Sequence, residues 1–367
     1  MSDRVFNFSA GPATLPLSVL EEAQRDLVSL PGVGASPLEV SHRSAWFEDV
    51  IGEAEANLRA LLSIPESHHV LFCQGGATMQ FSMVAMNLLR GTGRAADHIV
   101  TGTWGEKAMR EAAREGRVRE AWSGKTGGYV RLPTDEELRN ALGADAAYAH
   151  ITSNETIQGV EFPDTPDVAG GAPLVCDASS DFLSRPVNVA RYGVLYAGAQ
   201  KNAGPAGVTV AIVRDDMLER IPEGLPTMLD YRTYAGSRSL HNTPPVFAIY
   251  VLMLVTRWLR DEVGGLDAQL ATNREKAALI YDAIDVSDRF YVGHAEPGSR
   301  SLMNVTFRLP DEELERRFVT EASARGLAEL KGHRSVGGIR ASLYNAMPVE
   351  GARALAGFME RFADSAR

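Results

Sequence analysis

One lysine and one aspartate each follow an apolar run, where a buried strand would end. Lys201 comes shortly after the run 194–197, and Asp177 directly follows the run 174–176. Burial lowers the pKa of a lysine, and a neutral amine can condense with an aldehyde. Enzymes hold pyridoxal phosphate in this way, and its ring nitrogen needs an acidic partner. The pair therefore predicts a pyridoxal-phosphate site, although Asp177 alone is also typical of a helix N-cap.

Three further positions could contact a flat, phosphorylated ligand. Gly75 and Gly76 lie between an apolar run and a helical pattern, and a helix N-terminus attracts phosphate. Trp104 lies between two glycines and could stack on an aromatic ring, or simply pack. Thr156 falls in a polar cluster that is equally typical of a turn.

Basic residues recur at three distant points of the chain. These are the pairs His42-Arg43 and His333-Arg334, and Arg340. Most arginines are solvated surface groups, but Arg340 lies in an apolar strand pattern, where its charge needs an anion. Guanidinium groups bind carboxylates and phosphates in a bidentate manner, so these residues could bind an anionic substrate.

The elements that position these residues alternate along the first two thirds of the chain. Helical periodicity covers 18–30 and 48–62. Short apolar runs cover 69–73, 99–101, 148–152, 174–176, 194–197 and 208–213. Strands that alternate with helices predict an α/β fold with a mostly parallel central sheet, which binds ligands at the carboxyl ends of its strands.

A different pattern follows. Residues 222–245 lack periodicity and predict a long surface excursion. Helices are expected at 246–260, 267–284, 311–325 and 349–362, and strands at 303–307 and 339–343. We therefore expect a large domain over 18–262, a smaller α+β domain over 263–367, and an N-terminal segment, 1–17, near the active site.

Composition excludes several classes of function. The net charge of −10 over 367 residues disfavours nucleic acid and anionic membranes as partners. The longest apolar stretch, 246–255, is too short to span a bilayer, and residues 1–4 do not resemble a signal peptide. Cys73 and Cys176 fit core thiols of a reducing cytoplasm and offer no zinc spacing. Neither the P-loop pattern nor a dinucleotide-binding glycine motif follows a strand.

Taken together, the motifs resemble the phosphoserine aminotransferase family, class-V pyridoxal-phosphate enzymes of serine biosynthesis. The resemblance extends over nearly the whole chain. The stretches that carry it are 6–13, 39–43, 154–159, 184–186, 192–194, 197–202, 242–245 and 331–342. It implies an aspartate-aminotransferase-like fold in a cytoplasmic enzyme without a metal.

The resemblance also implies a set of cofactor contacts. Lys201 would bind the aldehyde covalently, Asp177 would pair with the ring nitrogen and Trp104 would stack on the ring, which makes these three the catalytic residues. The remaining contacts would be Thr156 at the ring hydroxyl; Ala77, Thr78 and Gln200 at the phosphate; and Asn242 and Thr243 at the same phosphate from a partner subunit. A homodimer with shared active sites follows from this set.

Substrate contacts are implied in the same way. Ser9 and Arg43 match positions for the amino-acid substrate, and Arg340 matches the one that binds its α-carboxylate. The group that would receive the substrate phosphate or the glutamate side chain is His42, Arg43, His333 and Arg334. Some members carry an arginine where this chain has Thr78, so phosphate binding here would depend more on that group. The implied reaction transfers the amino group of L-glutamate to 3-phosphohydroxypyruvate, and a related threonine-like substrate of pyridoxine synthesis is not excluded.

Two other classes remain open. A lyase or desulfurase of the same architecture would need a reactive cysteine in an exposed loop, whereas both cysteines lie in strand patterns. A non-catalytic binding module could keep the fold, but it would not need both Lys201 and Asp177.

Overall fold

The computed structural model describes residues 4–143, 145–168 and 171–366. The described strands are β1 (Phe6–Asn7), β2 (His68–Cys73), β3 (Ala95–Val100), β4 (Arg117–Ser123), β5 (Ala149–Thr152), β6 (Asn154–Glu155), β7 (Val160–Glu161), β8 (Leu174–Asp177), β9 (Tyr192–Gly198), β10 (Thr209–Arg214), β11 (Val292–Gly293), β12 (Asn304–Arg308), β13 (Leu327–Ala328) and β14 (Ile339–Ser342). The described helices are α1 (Leu17–Asp26), α2 (Ala45–Leu62), α3 (Gly76–Leu88), α4 (Thr103–Ala112), α5 (Asp135–Ala141), α6 (Asp215–Leu218), α7 (Tyr231–Gly236), α8 (Val246–Asp261), α9 (Leu266–Asp285), α10 (Glu312–Ser323) and α11 (Val349–Ala366). Residues 1–3 lie outside the described residues; they begin the predicted N-terminal segment and form most of the stretch compared with a signal peptide. Arg367 of the predicted small domain also lies outside them.

A seven-stranded sheet forms the centre of the first part of the chain. Its strand order is β2-β10-β9-β8-β5-β3-β4. Neighbouring strands from β9 to β4 are parallel, and only β10 runs against both of its neighbours. The predicted mostly parallel sheet is confirmed. Every residue of β5, β8 and β9 is buried, as expected for strands covered on both faces.

Two differences from the predicted elements have simple physical reasons. Strand β4 has no apolar run, because it is an edge strand whose side chains are exposed or half-buried. Helix α1 ends at Asp26 rather than near residue 30, and Leu27 beyond it is 39% exposed, so it adds nothing to the buried face.

The excursion 222–245 lies only partly at the surface. It contains α7, whose N-cap Asp230 accepts a hydrogen bond from the backbone N–H of Arg232. Tyr231 is fully buried, and its hydroxyl donates to Oε1 of the buried Gln80 on α3 at 2.7 Å. The surface prediction is therefore wrong for α7, because tertiary packing rather than periodicity buries its tyrosines.

The last part of the chain surrounds a second sheet of order β11-β12-β14. Helices α9, α10 and α11 and Phe8 contribute to one buried apolar cluster with this sheet. Strand β1 pairs in parallel with β13, so the N-terminal segment is attached to this second core. The boundary near residue 262 stays a prediction that this separation of cores supports.

Among the described helices none is sufficiently long and apolar to cross a membrane. The same part of the chain contains no group of three or more His, Cys, Asp or Glu side chains placed to bind a metal ion.

Candidate active site

A cavity of about 290 Å³ opens at the carboxyl ends of the central strands. Nine of the residues proposed from the sequence line it: Ala77, Thr78, Trp104, Thr156, Asp177, Gln200, Lys201, His333 and Arg340. This volume is close to the lower limit of ~300 Å³ typical of small-molecule sites. The sequence prediction that these distant residues converge at one edge of the sheet therefore agrees with the geometry.

Lys201 lies in the turn that follows β9, and its amine is enclosed by the cavity. Nζ donates a hydrogen bond to Oγ1 of Thr156 at 3.0 Å. Burial lowers the pKa of Lys201, while the negative charges of Asp177 and Glu155 oppose the shift. A lysine in this setting releases its proton more readily than a solvated one, which is what condensation with an aldehyde requires.

Asp177 is the last residue of β8 and is only 4% exposed. Its Oδ1 accepts a hydrogen bond from the backbone N–H of Ser179 at 2.9 Å, within a turn rather than a helix. The alternative of a helix N-cap is therefore wrong. Burial raises the pKa of Asp177, whereas the bonds to Ser179 and the charge of Lys201 lower it. A cationic ring nitrogen beside this carboxylate would offset the cost of its burial.

Helix α3 directs its N-terminal turn at the cavity. Its N-cap is Gly75, whose φ of 86° suits glycine, and Gly76, Ala77 and Thr78 line the cavity. A side chain at Gly75 would place Cβ 2.6 Å from the side chain of Met79. The first turn of this 13-residue helix has unpaired N–H groups and a positive dipole end, which suit a phosphate.

Trp104 lies in the first turn of α4 and forms one wall of the cavity. The centre of its ring is 5.7 Å from Nζ of Lys201. Its buried Nε1 has no hydrogen-bond partner, and neither does Oγ1 of Thr152, which lines the same cavity. Unpaired buried polar groups are costly, so both favour a ligand with hydrogen-bonding atoms.

His333 and Arg340 supply positive charge on the side of the second sheet. Arg340 lies on β14 and is half-buried, and burial lowers its pKa. The pKa of His333 is lowered by burial and by the nearby charges of Arg340, Lys107 and Arg334. An anion bound between His333 and Arg340 would offset both the burial of these groups and their mutual repulsion.

Six proposed site residues do not line the cavity of this chain: Ser9, His42, Arg43, Asn242, Thr243 and Arg334. Ser9 is adjacent to the lining residue Ala10, and its Oγ accepts from the backbone N–H of Gly11 at 3.3 Å. His42 is buried with Nε2 unpaired, while Arg43, Arg334 and both 242 and 243 are exposed. The backbone oxygen of Thr243 accepts a hydrogen bond from Gln74 at 3.5 Å.

Other lining residues were not proposed from the sequence. They are Ala10, Gly11, Thr152, Asn154, Ile157, Ser179 and Ser180, whereas Gly76, which also lines the cavity, was already expected near a phosphate. Thr152 ends the predicted strand 148–152, so its position at a strand end was a usable signal. Ala10 and Gly11 carry no chemistry that would distinguish them before folding.

Comparisons with known proteins agree with this geometry. The family profile described as aminotransferase class V matches residues 5–355. Curated phosphoserine aminotransferases from Rhodopirellula baltica and Geobacillus kaustophilus are each 53% identical to this chain over 98% of its length. The matched region covers 96% of the Rhodopirellula protein and 98% of the Geobacillus protein. The chain therefore belongs to the class-V aminotransferases and, within them, to the phosphoserine aminotransferase family.

Solved structures give the same relationship. A phosphoserine aminotransferase from Bacillus circulans subsp. alkalophilus superposes with a TM-score of 0.96 at 51% identity, with full coverage of both chains. A structure described as pyridoxal-phosphate-bound phosphoserine aminotransferase, from Trichomonas vaginalis, has a TM-score of 0.90 at 42% identity, covering 97% of this chain and all of its own. An aspartate aminotransferase from Thermus thermophilus, 19% identical with a TM-score of 0.78 and coverage of 98% and 99%, shares the fold alone. The predicted aspartate-aminotransferase-like fold is confirmed, and so is pyridoxal phosphate as the cofactor.

Proposed function

We propose that this member of the family transfers the amino group of L-glutamate to 3-phosphohydroxypyruvate, giving O-phospho-L-serine and 2-oxoglutarate. The observation that carries the proposal is the convergence of Lys201 and Asp177 in one cavity of a chain about half identical to phosphoserine aminotransferases. When bound, pyridoxal phosphate supplies an aldehyde that takes up the amino group and a ring that accepts electrons from the substrate carbon.

Lys201 binds that aldehyde and then moves protons. Its Nζ is held by Thr156 at the cavity wall, and its lowered pKa lets the neutral amine accept a proton from the substrate α-carbon. The same Nζ can then return the proton to the carbon derived from the aldehyde. Asp177 would keep the ring nitrogen protonated through its charge, which would improve the ring as an electron acceptor.

Three groups of residues orient the cofactor. Trp104 would stack on the ring, and Oγ1 of Thr156 would bind the ring hydroxyl. The first turn of α3, with Ala77 and Thr78, lines the cavity together with Gln200, and these residues would hold the phosphate. A fixed ring keeps the α-carbon of the substrate within reach of Lys201, which is a large part of the rate enhancement available to such enzymes.

Arg340 and His333 bind the anionic ends of the substrate. We assign the α-carboxylate to Arg340, because its guanidinium suits a planar bidentate anion. His333 lies near it and would receive the distal phosphate or carboxylate together with Arg334. Thr78 offers a hydroxyl rather than a charge, so the distal anion depends on these groups.

The residues outside the cavity favour a homodimer. Asn242 and Thr243 are exposed here, and a partner subunit would bring them to the cofactor phosphate. His42 and Arg43 also lie outside the cavity of this chain, so their proposed contact with the distal anion would likewise need a partner subunit. We propose that Ser9 contacts the amino-acid substrate from the neighbouring segment 9–11. The two buried free cysteines fit a reducing cytoplasm.

The test is a coupled assay of amino transfer with purified protein. L-Glutamate and 3-phosphohydroxypyruvate should give O-phospho-L-serine, and borohydride reduction before the assay should abolish activity and fix the cofactor on Lys201 as shown by peptide mass spectrometry. Release of sulfur or ammonia without amino transfer would support the lyase or desulfurase class instead. A colourless protein that neither binds the cofactor nor reacts would support the binding module.

A further inference from the structure

We propose that Glu155 and Gln158 are positioning residues that hold Trp104 at the cavity wall through the first turn of α4, with Glu155 acting as a carboxylate. The inference rests on the proposed function, because that function gives Trp104 its role beside the cofactor ring. Neither residue was proposed for the site from the sequence.

The first three N–H groups of α4 are bound by side chains from another part of the chain. Oε2 of Glu155 accepts from the backbone N–H of Trp104 at 2.9 Å, and Oε1 accepts from that of Gly105 at 2.8 Å. Gln158 completes the set, since its Oε1 accepts from the N–H of Thr103 at 3.3 Å and its Nε2 donates to Oγ1 of Thr103 at 2.8 Å. The N-terminal N–H groups of a helix otherwise remain unpaired.

The N-cap residue of α4 cannot do this itself. It is Gly102, which has no side chain to accept a hydrogen bond. Its backbone is extended, so glycine is not required there for conformation. A Cβ at this position would lie 2.5 Å from Cδ of Glu155 and 2.7 Å from Oε1 of Gln158. Glycine at 102 therefore lets the two side chains approach the helix end directly.

The segment that contains Glu155 and Gln158 also positions Lys201. Glu155 is paired with Val160 across the β6–β7 hairpin, and the backbone oxygen of Gln158 accepts from Oγ1 of Thr306 on β12 at 2.8 Å. Thr156, one of the two residues between them in sequence, binds Nζ of Lys201. One short hairpin thus fixes both the ring-stacking wall and the reactive amine relative to each other.

The charge of Glu155 is essential to this geometry. A carboxylate can accept both N–H bonds, whereas a protonated carboxyl presents an O–H to one of them. Glu155 is fully buried, and burial raises its pKa to about 7, with the two N–H bonds and the charge of Lys201 opposing the rise and that of Asp177 adding to it. The other titratable group in its field is the hydroxyl of Tyr129, whose pKa Glu155 helps to raise.

The direct test follows the backbone amide of Trp104 in protein labelled with [15N]tryptophan. In the wild type, with and without cofactor, its proton resonance should move upfield as the pH falls through the titration of Glu155. In Glu155→Gln the resonance should start upfield and stay there. A Trp104 amide resonance at the same position in the wild type and in Glu155→Gln at pH 9 would overturn the proposal, and this measurement does not depend on the reaction catalysed.

A double-mutant cycle separates positioning from general stability. In the holoenzyme, Glu155→Gln should lower kcat by about tenfold or more, with little change in KM for glutamate, and should alter the visible circular dichroism of the bound cofactor. In a Trp104→Ala background the same substitution should change kcat by less than about twofold, because the group that it positions is gone. Equal effects in the two backgrounds would refute the role through Trp104.

The matched control is Glu161→Gln. Glu161 lies on the strand paired with β6, is also buried, and has a pKa that burial raises to about 7, but its partners are Arg185, Ser301 and Leu302. It should leave the Trp104 resonance and the circular dichroism of the cofactor unchanged. If Glu161→Gln shifted them as much as Glu155→Gln, the effect would belong to the hairpin as a whole and the proposal would fail. Wild-type protein without transaminase activity but with a titrating Trp104 amide would reject the proposed function alone.

Discussion

Replacement of Asn345 by leucine should destabilise the protein strongly without changing its shape. Asn345 is buried between the two halves of the chain, with its Nδ2 donating to the backbone oxygen of Leu183 at 2.8 Å. Its Oδ1 accepts from Nδ2 of Asn273 at 3.0 Å, and its backbone N–H donates to Asn202, the neighbour of Lys201, at 2.9 Å. The two side-chain bonds are lost in Asn345→Leu, which keeps the branching and the number of side-chain heavy atoms.

The magnitude follows from the groups left without partners. The oxygen of Leu183 and one N–H of Asn273 would be buried and unpaired, at a cost of ~1–3 kcal/mol each. We therefore expect the free energy of unfolding to fall by ~2–6 kcal/mol, a large part of the ~5–15 kcal/mol typical of a folded protein. Leucine leaves no cavity, so any additional loss would come from fitting its bulkier methyl groups into the packed site.

The assay is urea unfolding of the cofactor-loaded protein. The concentrations of protein and cofactor are kept the same for all variants, because cofactor binding and any association of folded chains raise the measured stability. The control is Asn140→Leu on α5, whose side chain is exposed and should change the free energy by less than ~0.5 kcal/mol. If Asn345→Leu were as stable as this control, the reasoning that these amide bonds connect the two halves would be refuted.

Other consequences can be tested separately. Lys201→Ala should abolish amino transfer and the visible absorption of the covalently bound cofactor, and near-normal turnover would refute its role. Burial lowers the pKa of Lys201, so the rate at which the cofactor-free protein reacts with the aldehyde should rise with pH and reach half of its maximum below pH 10.5. A midpoint at or above pH 10.5 would contradict this. Arg334→Ala should raise KM for the phosphorylated substrate, and unchanged kinetics would remove Arg334 from the phosphate site. Burial raises the pKa of Cys73 to about 12 and also that of Cys176, so neither should react with iodoacetamide at pH 8 until urea unfolds the chain; labelling of the native protein would show that they are accessible.

The sequence was most informative where chemistry coincides with the end of a strand. Lys201 and Asp177 follow runs that are apolar on both faces, and such runs indicate central parallel strands whose ends share an edge. Their convergence in one cavity could therefore be predicted without any knowledge of the packing.

Features that depend on distant contacts were not predictable in the same way. Glu155 looks like a turn residue until the β6–β7 hairpin brings it to the first turn of α4. Tyr231 lies in an aperiodic stretch and is buried only because Gln80 and the adjacent helix cover it. The proposed role of Asn242 and Thr243 would need a second subunit, which no pattern within one chain can place.

The pairing of β1 with β13 affects the order in which the protein can be built. Phe6 is made before the central sheet, whereas its partner Leu327 is made after it. Ala10 and Gly11, which line the cavity, follow shortly after β1 and are tied to it. The central sheet can form while translation continues, whereas the cofactor pocket acquires its final wall only once β13 has been made. A truncated product would thus contain the reactive lysine without a closed pocket around it.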